Sequence, residues 1–461
     1  MKTYSEAFSD LLELEDKLGL YEYTVKGVPI YYIFRYLLRE RYMEKEAIGC
    51  KRVNNHSKFK FPLLLKTYLS SALQVLNLCC TKKRIDNVIF GFPRLEKING
   101  VYLDKFVDPV ILESNLKDSY IYFERGRSGV HLAPRLNEEH IIKTEFIDFT
   151  AQIIGALIAP IVLCCFLRTI FSFFSKLKKN FKVSNRMLFT ISHKISILLL
   201  KVSFFKVLFK KFQTKRLFSV ASNLFRDYTV ACRKLGIPVY EFQHGITVGY
   251  TTLYSGKYDQ KIQPDYFLAF GESSMRDIFS VPLDRMINIG WAFKSFIKQY
   301  IPDSKHEDNT FLVISESHIS QKIIQTMIEL SNAYPDLIFH IRLHPLEKWS
   351  SEQMEEVLPY KNISIQDNTM NSSIALLSYN SILGENSTVM YEALSLGKKV
   401  GRFCFNGFVP TQMPGIPEEA FYYIQNIQDF KNFVLWNTNV NGLTSAIYSD
   451  FNLFAFNNLL S

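Results

Sequence analysis

Short apolar runs that alternate with stretches of helical composition constrain this 461-residue chain more than any other feature. The first series of predicted strands comprises 86–92, 119–123, 237–242, 266–270 and 286–289. The second series begins near Thr310 and continues at 337–343 and 363–366. Such alternation is typical of parallel sheets flanked by helices. The two series predict two doubly wound α/β domains, joined near 290–303, with a ligand-binding cleft between them.

Predicted helices fill the stretches between and before these strands. A stripe of leucines that begins at Leu11 and the aromatic, basic stretch 31–43 indicate helices near the start of the chain. Further helices are predicted over 217–235, 321–333 and 387–396. A strand should begin at about Lys398, after a glycine that ends the last of these helices.

One section differs in composition from the rest of the chain. Residues 149–226 contain 14 Lys and Arg residues and no Asp or Glu, so the remainder is mildly acidic although the net charge is +10. Its first part, 149–167, is almost wholly apolar and close to the length that spans a membrane. The strands on either side should share one sheet, so the chain must end on the side where it began. A single membrane crossing is therefore excluded.

Three arrangements would fit this section: insertion into the membrane interface, a spanning hairpin, or a buried helix with a solvated basic face. Lysines in its second half, such as Lys194, disfavour spanning. Interfacial insertion explains the composition best, with Lys201, Lys206, Lys210 and Lys211 near anionic lipid heads. Nucleic acid is a poor partner, because the Leu and Ile content far exceeds what a phosphate-binding surface needs.

The cysteines and the start of the chain indicate a reducing cytoplasm. None of the seven cysteines has zinc-ligand spacing, and residues 1–20 are amphipathic and acidic, without the apolar centre of a signal peptide. The sequence also has no metal-ligand cluster and no Gly-rich phosphate loop. We therefore expect no metal and no cofactor.

The first candidate site is Gln243-His244-Gly245, at the end of a predicted strand. A histidine at the carboxyl end of a parallel strand points into the crevice, where imidazole can act as a general base near neutral pH. Gly245 allows a ligand to approach the backbone closely. The alternative is a histidine that only completes a turn between strand and loop.

The second candidate site is Arg342-Leu343-His344-Pro345, again at a predicted strand end. Arg342 and His344 alternate along the strand and should share one face. A cationic pair at that place would suit a diphosphate or a departing nucleotide phosphate. The alternative is an ordinary turn at the end of a strand.

The third candidate site is Gly384-Glu385-Asn386-Ser387-Thr388, just before a predicted helix. Ser387 or Thr388 can cap that helix, and its free N–H groups and hydroxyls form an anion site. Glu392 lies one turn further on and can reach a ribose diol. Other polar residues at strand ends and loops are further candidates, although each such residue is more often structural. They are Ser315, Ser317, Glu272, Asp104 and Asp108.

These three motifs in this order resemble those of bacterial surface-polysaccharide glycosyltransferases of the GT-B fold and of related CDP-glycerol glycerophosphotransferases. The resemblance covers about 86–125 and 237–403. It implies two Rossmann-like α/β domains with parallel sheets facing across a cleft, together with a basic, apolar helical section. Residues 1–290 would form the acceptor domain and 291–461 the nucleotide-sugar donor domain.

The resemblance also implies roles for four of the candidate residues, and the others are assigned to the donor or acceptor side from their positions in the sequence. His344, with Ser387 and Thr388, would hold the donor phosphate. The remaining donor-side residues would be Arg342, Glu392, Ser315 and Ser317. His244 would act on the acceptor, with acceptor-side candidates Gln243, Gly245, Glu272, Asp104 and Asp108. Glycerophosphotransferases usually have Trp where this sequence has Gln243, which weakens CDP-glycerol as the donor.

The sequence therefore predicts a nucleotide-sugar-dependent glycosyltransferase, peripheral on the cytoplasmic face of the membrane. It would extend a capsule or lipopolysaccharide glycan, and its partners would be a nucleotide-sugar donor, a glycan or lipid-linked acceptor and an anionic membrane surface. Three alternatives stay open: a glycerophosphotransferase using CDP-glycerol, a UDP-sugar 2-epimerase on the same fold, and a non-enzymatic scaffold of polysaccharide assembly at the membrane.

Overall fold

The computed structural model of the protein describes residues 2–47, 61–126, 129–224, 226–299, 306–345, 347–366, 371–407, 409–437 and 446–461. The strands in these ranges are β1 (Thr24–Val25), β2 (Val28–Pro29), β3 (Asn87–Phe90), β4 (Glu96–Ile98), β5 (Val101–Leu103), β6 (Tyr120–Glu124), β7 (Ile141–Lys143), β8 (Arg216–Val220), β9 (Val239–Phe242), β10 (Tyr266–Ala269), β11 (Met286–Asn288), β12 (Thr310–Ile314), β13 (Ile338–Arg342), β14 (Ile363–Ile365), β15 (Ser381–Gly384), β16 (Lys399–Phe403) and β17 (Tyr422–Ile424).

The α-helices of the same ranges precede, connect and follow these strands. They are α1 (Tyr4–Lys17), α2 (Tyr31–Glu46), α3 (Phe61–Cys80), α4 (Asp108–Glu113), α5 (Glu145–Cys165), α6 (Leu167–Phe181), α7 (Arg186–Phe212), α8 (Asp227–Arg233), α9 (Ala292–Lys298), α10 (Ser320–Ala333), α11 (Ser351–Val357), α12 (Ser372–Leu377), α13 (Thr388–Ser395), α14 (Ile427–Leu435) and α15 (Leu453–Asn458).

Two parallel sheets organise the protein. The first sheet has the strand order β11-β10-β9-β8-β3-β6-β7, and the second has the order β14-β13-β12-β15-β16-β17. All neighbouring strands within each sheet are parallel. Helices cover both faces, which explains why the strands are nearly continuous apolar runs in the sequence. The predicted fold class is confirmed: GT-B, with two Rossmann-like domains and an additional apolar helical section.

The predicted strands are all present, with ends that shift by at most two residues. The predicted helix over 217–235 is wrong in its first part, because β8 occupies that part and lies at the centre of the first sheet, between β9 and β3. Every residue of β8 is buried. A strand buried on both faces has no alternation, so its apolar run cannot be distinguished from a helix by periodicity. In the described part of that stretch, α8 is the α-helix, and Ser222–Leu224 form a short 3-10 helix.

The basic, apolar section lies between β7 and β8 as far as Phe212 and then includes β8 itself, so the chain leaves and re-enters the same sheet, as the sequence predicted. It folds into α5, α6 and α7. The last of these helices buries one face along its whole length, from Met187 through Ile195 and Val202 to Phe212. This face belongs to the same hydrophobic core as residues of β3 and β6. The section is therefore part of the first domain rather than a separate bundle.

Two helices display leucine and isoleucine side chains to the outside. In α3 these are Leu65, Leu69, Leu73 and Leu76, and in α5 they are Ile153, Leu157 and Ile161, all between 49% and 74% exposed. The rows follow helical spacing, and the two helices pack against each other. We call these seven side chains the outer apolar surface. Among the described helices, α3, α5 and α7 are long and apolar enough to cross a membrane.

The end of the chain packs on the first sheet. Phe456 of α15 is fully buried, with its ring centroid 5.7 Å from that of Phe218 and 6.1 Å from that of Phe242. Gly290 lies where the chain enters the second domain; its φ is +74°, and a Cβ at this position would collide with the Asp450 backbone. The proposed division at 290/291 stays a prediction. Part of the predicted connection, 300–303, lies outside the described residues.

Candidate functional site

His244 follows β9 at the carboxyl edge of the first sheet, as predicted. Its ring packs between Phe92, at a centroid distance of 4.2 Å, and Phe106, at 5.2 Å. The Nε2 atom is buried and has no hydrogen-bond partner among the described residues. Burial lowers the pKa of His244 to about 4, and the cations Arg94 and Lys105 contribute to the shift. This imidazole is therefore neutral at pH 7, and its role as a general base stays a prediction.

Asp104 positions the two aromatic rings that enclose His244. Its carboxylate accepts hydrogen bonds from the backbone N–H of Phe92 at 3.2 Å and of Phe106 at 2.9 Å, and from the Tyr122 hydroxyl at 2.7 Å. It is fully buried, and burial raises its pKa. All its hydrogen bonds run to the protein, so Asp104 supports the site and does not face an acceptor.

Asp108, the other predicted aspartate, also lies in the interior. It accepts a hydrogen bond from the backbone N–H of Asp104 at 2.7 Å and pairs with Arg135. The same guanidinium contacts Glu124 at 2.8 Å, and Glu124 in turn contacts His131. Asp108 therefore belongs to a buried ionic network beneath the site.

Of the three remaining acceptor-side candidates, Gln243 supports the turn from inside, whereas Gly245 and Glu272 adjoin open space or solvent. Gln243 is buried, donates to Gly245 O and to Ser274 Oγ at 2.9 Å, and accepts from Phe270 N at 2.8 Å. It therefore fixes the turn rather than meeting substrate. A Cβ added at Gly245 would meet nothing within 4 Å, so open space adjoins its backbone. Glu272 is exposed at the start of a short 3-10 turn.

His344 follows β13 at the corresponding edge of the second sheet and is exposed. Glu347 holds its turn by accepting a hydrogen bond from the backbone N–H of His344 at 3.1 Å. Ser315 donates to the other oxygen of Glu347 at 2.7 Å and is fully buried, so it is not available to a ligand. Ser317 is exposed beyond it. Arg342 is buried and donates to Gln366 at 3.1 Å.

Two carboxylates, Glu316 between Ser315 and Ser317 and Glu385 of the third candidate site, come together on one histidine. Glu316 and Glu385 both contact the exposed His318, at 3.6 Å and 3.2 Å from its ring nitrogens. Burial raises the pKa of Glu316, as does the neighbouring Glu385, whereas His318 and His344 lower it. The sequence signal was present, because Glu316 lies between the two serines that were chosen and Glu385 lies within the third motif.

Ser387 occupies the N-cap position of α13, as predicted, but its hydroxyl makes no capping hydrogen bond. Thr388 begins the helix and is exposed. The first-turn N–H groups of α13 therefore lack the side-chain acceptor that usually satisfies them, which favours an anion there. Arg402 supports the preceding loop from below: it is fully buried and donates to Glu385 O at 2.8 Å and Asn386 Oδ1 at 2.6 Å.

Glu392 joins the two domains instead of facing a ligand. One of its oxygens lies 3.1 Å from Nζ of Lys105 in the first domain, and the other accepts from Ser373 Oγ at 2.8 Å. Lys105 also contacts Glu96 at 3.6 Å, and its ammonium lies 5.7 Å from the centroid of the Phe106 ring. The helix that begins at the candidate phosphate site thus touches the loop that encloses His244.

Groups of complementary chemistry lie at the carboxyl edges of the two sheets, and the Lys105–Glu392 ion pair joins the two domains near them. The first domain contributes His244 as a neutral ring that can accept a proton. The second domain contributes His344, the N-terminus of α13 and the carboxylates Glu316 and Glu385, which suit an anion and neighbouring hydroxyls respectively. Among the residues that the structure describes, no group of three or more His, Cys, Asp or Glu side chains could hold a metal ion.

Comparisons with known proteins give similarity at the level of solved structures alone, since neither a family model nor a curated protein matches the chain. The UDP-GlcNAc 2-epimerase from Neisseria meningitidis bound to UDP-GlcNAc has 15% identity and a TM-score of 0.46, covering 82% of this chain and 98% of that chain. The UDP-GlcNAc 2-epimerase from Methanocaldococcus jannaschii has 10% identity, the same TM-score and the same coverage. The glycosyltransferase of kitacinnamycin has 10% identity, a TM-score of 0.44 and also the same coverage. The fold assignment itself rests on the strand order of the two sheets.

Proposed function

We propose that this protein is a glycosyltransferase that uses a nucleotide-sugar and extends a surface polysaccharide at the cytoplasmic face of the membrane. The observation that carries the proposal is a histidine just beyond a strand end in each sheet, together with an ion pair that joins the two domains near them. His244 contacts Phe106, and the adjacent Lys105 contacts Glu392 of α13. Just before α13, Glu385 contacts His318 in the second domain. One side thus offers a proton acceptor and the other offers groups for a phosphate.

In the proposed reaction, the acceptor hydroxyl attacks the anomeric carbon and the nucleotide leaves with its phosphate charge. His344 and the first-turn N–H groups of α13 stabilise that charge. His244 orients the acceptor hydroxyl and takes its proton as the new bond forms, because its ring is neutral at pH 7. Glu316 or Glu385 binds sugar or ribose hydroxyls, the role that Glu392 cannot fill while it is engaged by Lys105 and Ser373.

Substrate entry requires movement of the aromatic cover. Nε2 of His244 is shielded by Phe92 and Phe106, and Lys105 of the same loop is held by Glu392 in the other domain. We propose that separation of the domains releases Lys105 and lets Phe106 withdraw. Entry of the acceptor and opening of the cleft would then be one event.

The outer apolar surface supports a membrane location. A contiguous apolar face of this kind is rare on a soluble monomer, and exposed lysines such as Lys206 and Lys210 lie on the neighbouring α7. Lys201, which the sequence placed near lipid heads at the surface, lies inside the domain instead, 2.8 Å from both Asp148 and Asp227. The apolar residues of α3 lie outside the section that composition identified.

The experiment that tests the function combines nucleotide binding with two product assays. Thermal stabilisation by UDP, CDP, GDP and CMP identifies the nucleotide, since a ligand of the folded state raises the melting temperature. The matching nucleotide-sugar is then supplied with native membranes in deuterated water. Transfer gives labelled glycan and free nucleotide. Deuterium at C2 of the unreacted sugar would instead establish the epimerase. Absence of nucleotide binding would contradict both enzymatic functions and favour the non-enzymatic scaffold.

The membrane part is tested by flotation with vesicles that contain anionic lipid. Substituting Leu69, Leu73 and Leu157 by Gln removes part of the outer apolar surface and should shift the protein to the unbound fraction even at low salt. The matched control replaces exposed leucines elsewhere, Leu358 and Leu435, and should float like the wild type. If the triple variant floats like the double control variant, the outer apolar surface is not the membrane contact.

A further inference from the structure

A charged cavity of about 180 Å³ lies under the α5–α7 helix pair, apart from the cleft between the domains. Four cationic side chains line it: Arg125, Lys194, Lys201 and Arg226. Its two lining carboxylates, Asp148 and Asp227, are both engaged by Lys201 at 2.8 Å. Asp148 also lies 3.8 Å from Nε of Arg125, and the lining as a whole carries two more positive than negative charges.

Arg226 is the cation of this cavity whose charge is least compensated. It is more than nine-tenths buried, it forms no ion pair within the described part of the chain, and its Nε has no hydrogen-bond partner there. Its other nitrogens reach only neutral groups, Ile262 O at 3.0 Å and the side chain of Asn223. The nearest further carboxyl is Glu241, whose pKa burial raises to about 7 and which accepts from Ser222. An anion in the cavity would complete the charge balance.

The position of the cavity in the fold is that of a ligand site. Arg125 follows β6 directly, and a smaller adjoining cavity that shares Arg125 and Lys201 is lined by Phe90 and Gly91 at the end of β3. Ligands of open parallel sheets bind at these carboxyl ends. The next residue, Phe92, contacts His244, so the cavity and the proposed acceptor site adjoin along one strand end.

The rim of the cavity indicates what carries the anion. Lys194 stands at the rim, exposed, and makes no ion pair with any residue that the structure describes. Gln152 of α5 and Ile197 of α7 form the walls, and immediately beyond Gln152 the exposed Ile153 begins the apolar row of α5. A cavity with a positively charged floor that opens beside an apolar outer face matches an amphiphile with a phosphate head and a hydrocarbon tail.

We infer that this cavity binds the phosphate head of a membrane lipid, whose tail lies along the exposed face of α5. The inference rests on the membrane contact proposed above and deepens it, because a phosphate-bearing lipid held beside Phe92 would present its polar end to the cleft. It does not depend on which sugar is transferred or on whether transfer occurs. Free phosphate has the same head chemistry, so the test compares the two sources directly.

The test uses the full chain in dodecyl maltoside micelles at fixed ionic strength. Calorimetric titration with dodecyl phosphate supplies the lipid-borne group, and titration with inorganic phosphate supplies the free one. We expect dodecyl phosphate to bind at least roughly tenfold more tightly than inorganic phosphate. Replacing Lys194 or Arg226 by Gln should weaken dodecyl phosphate binding by about tenfold each, the usual loss for one charge-assisted hydrogen bond.

The matched control is Lys206→Gln, an exposed lysine of the same helix outside the cavity, which should bind dodecyl phosphate within about twofold of the wild type. Equal losses in Lys194→Gln and Lys206→Gln would overturn the inference, because binding would then follow surface charge. Equal affinities for the two phosphates would overturn the lipid assignment. If Arg226→Gln lowers the melting temperature, its loss of binding could reflect a damaged fold, and the inference is then judged on the rim variant Lys194→Gln alone. If the wild type floats with vesicles but its binding of dodecyl phosphate fails this test, the cavity is not the lipid phosphate site, while the proposed membrane contact stands.

Discussion

The two strand-end histidines occupy equivalent places in their sheets but different environments. His244 follows a strand of the first sheet and is enclosed by two phenylalanines, with a pKa of about 4. His344 follows a strand of the second sheet and is exposed beside a carboxylate whose pKa it lowers. The same residue in the same turn is thus suited to two tasks: a neutral ring can receive a proton, and an exposed ring can meet a phosphate. Environment, rather than motif, distinguishes them.

The largest expected effect comes from His244→Ala. Transfer should fall by roughly 10²–10⁴-fold, the contribution typical of a positioned proton acceptor. Nucleotide affinity should stay within about twofold, because the nucleotide lies on the other side of the cleft. The measurements are turnover with saturating donor and calorimetry with the nucleotide. A parallel loss of nucleotide binding would remove the difference between the two histidines.

A second expected effect, smaller but large, concerns His344→Ala. Nucleotide affinity or turnover should fall by one to three orders of magnitude, about 1.5–4 kcal/mol, while the fold survives because the side chain is exposed. Circular dichroism and the melting temperature check the fold. His140→Ala, a histidine stacked on Tyr120 elsewhere in the first domain, is the control and should leave both quantities unchanged. Unchanged turnover in a folded His344→Ala protein would exclude the phosphate role.

A third histidine, His131, has a raised pKa, the opposite of the shift at His244. His131 lies between Glu124, at 2.7 Å, and Glu145, at 3.0 Å, and despite burial these carboxylates raise its pKa to about 9. Its contribution to stability is fully present below its ordinary pKa of 6.5 and is lost as pH rises through 9. The free energy of unfolding should therefore decrease between pH 6.5 and 9.5 by on the order of 2 kcal/mol.

Denaturant titrations at several pH values measure this decrease. The variant His131→Asn should flatten the profile over that window, whereas His140→Asn should retain it. A wild-type profile that is level or rises over this range would show that His131 is not held as the imidazolium.

The smallest expected effect tests the aromatic cover of His244. Because burial is the main cause of the low pKa, Phe106→Ala should raise it from about 4 towards the ordinary 6.5. Removing one nearby cation with Arg94→Gln should raise it by less. NMR titration of the His244 ring protons measures both shifts. Equal, negligible shifts would mean that the ring is already solvated, and the two histidines would then differ less than the structure indicates.

The positions of the functional turns could be predicted from the sequence because they depend on local chemistry. His244 precedes a glycine, His344 precedes a proline and Ser387 precedes a helix, and each of these turns is specified within a few residues. The parallel sheets could be predicted for the same reason, since each strand is a short apolar run bounded by turn residues. The central strand β8 was mistaken for a helix because burial on both faces removes the periodic signal.

The environments of these residues could not be predicted, because they depend on segments far away in sequence. Phe92 and Phe106 come to His244 from the segment between β3 and α4, and Lys105 comes to Glu392 from the other domain. The acid-free composition of 149–226 likewise gave no sign that Lys201 would meet an acidic residue on each side of that section. The leucine row of α3 was visible as spacing, but its exposure is a property of the packed domain.

The packing of α15 on the first sheet has a consequence for synthesis on the ribosome. Phe456, which covers Phe218 and Phe242, is translated only after every strand of the second sheet. Until then, the ring surfaces that Phe456 will bury stay open to water, together with the groove that receives 447–452 beside Gly290 and Gly271. The nascent first domain is thus incomplete for most of translation and exposed to wrong partners during that interval. A nascent chain halted before Ile447 should bind chaperones more strongly than one halted after Leu460.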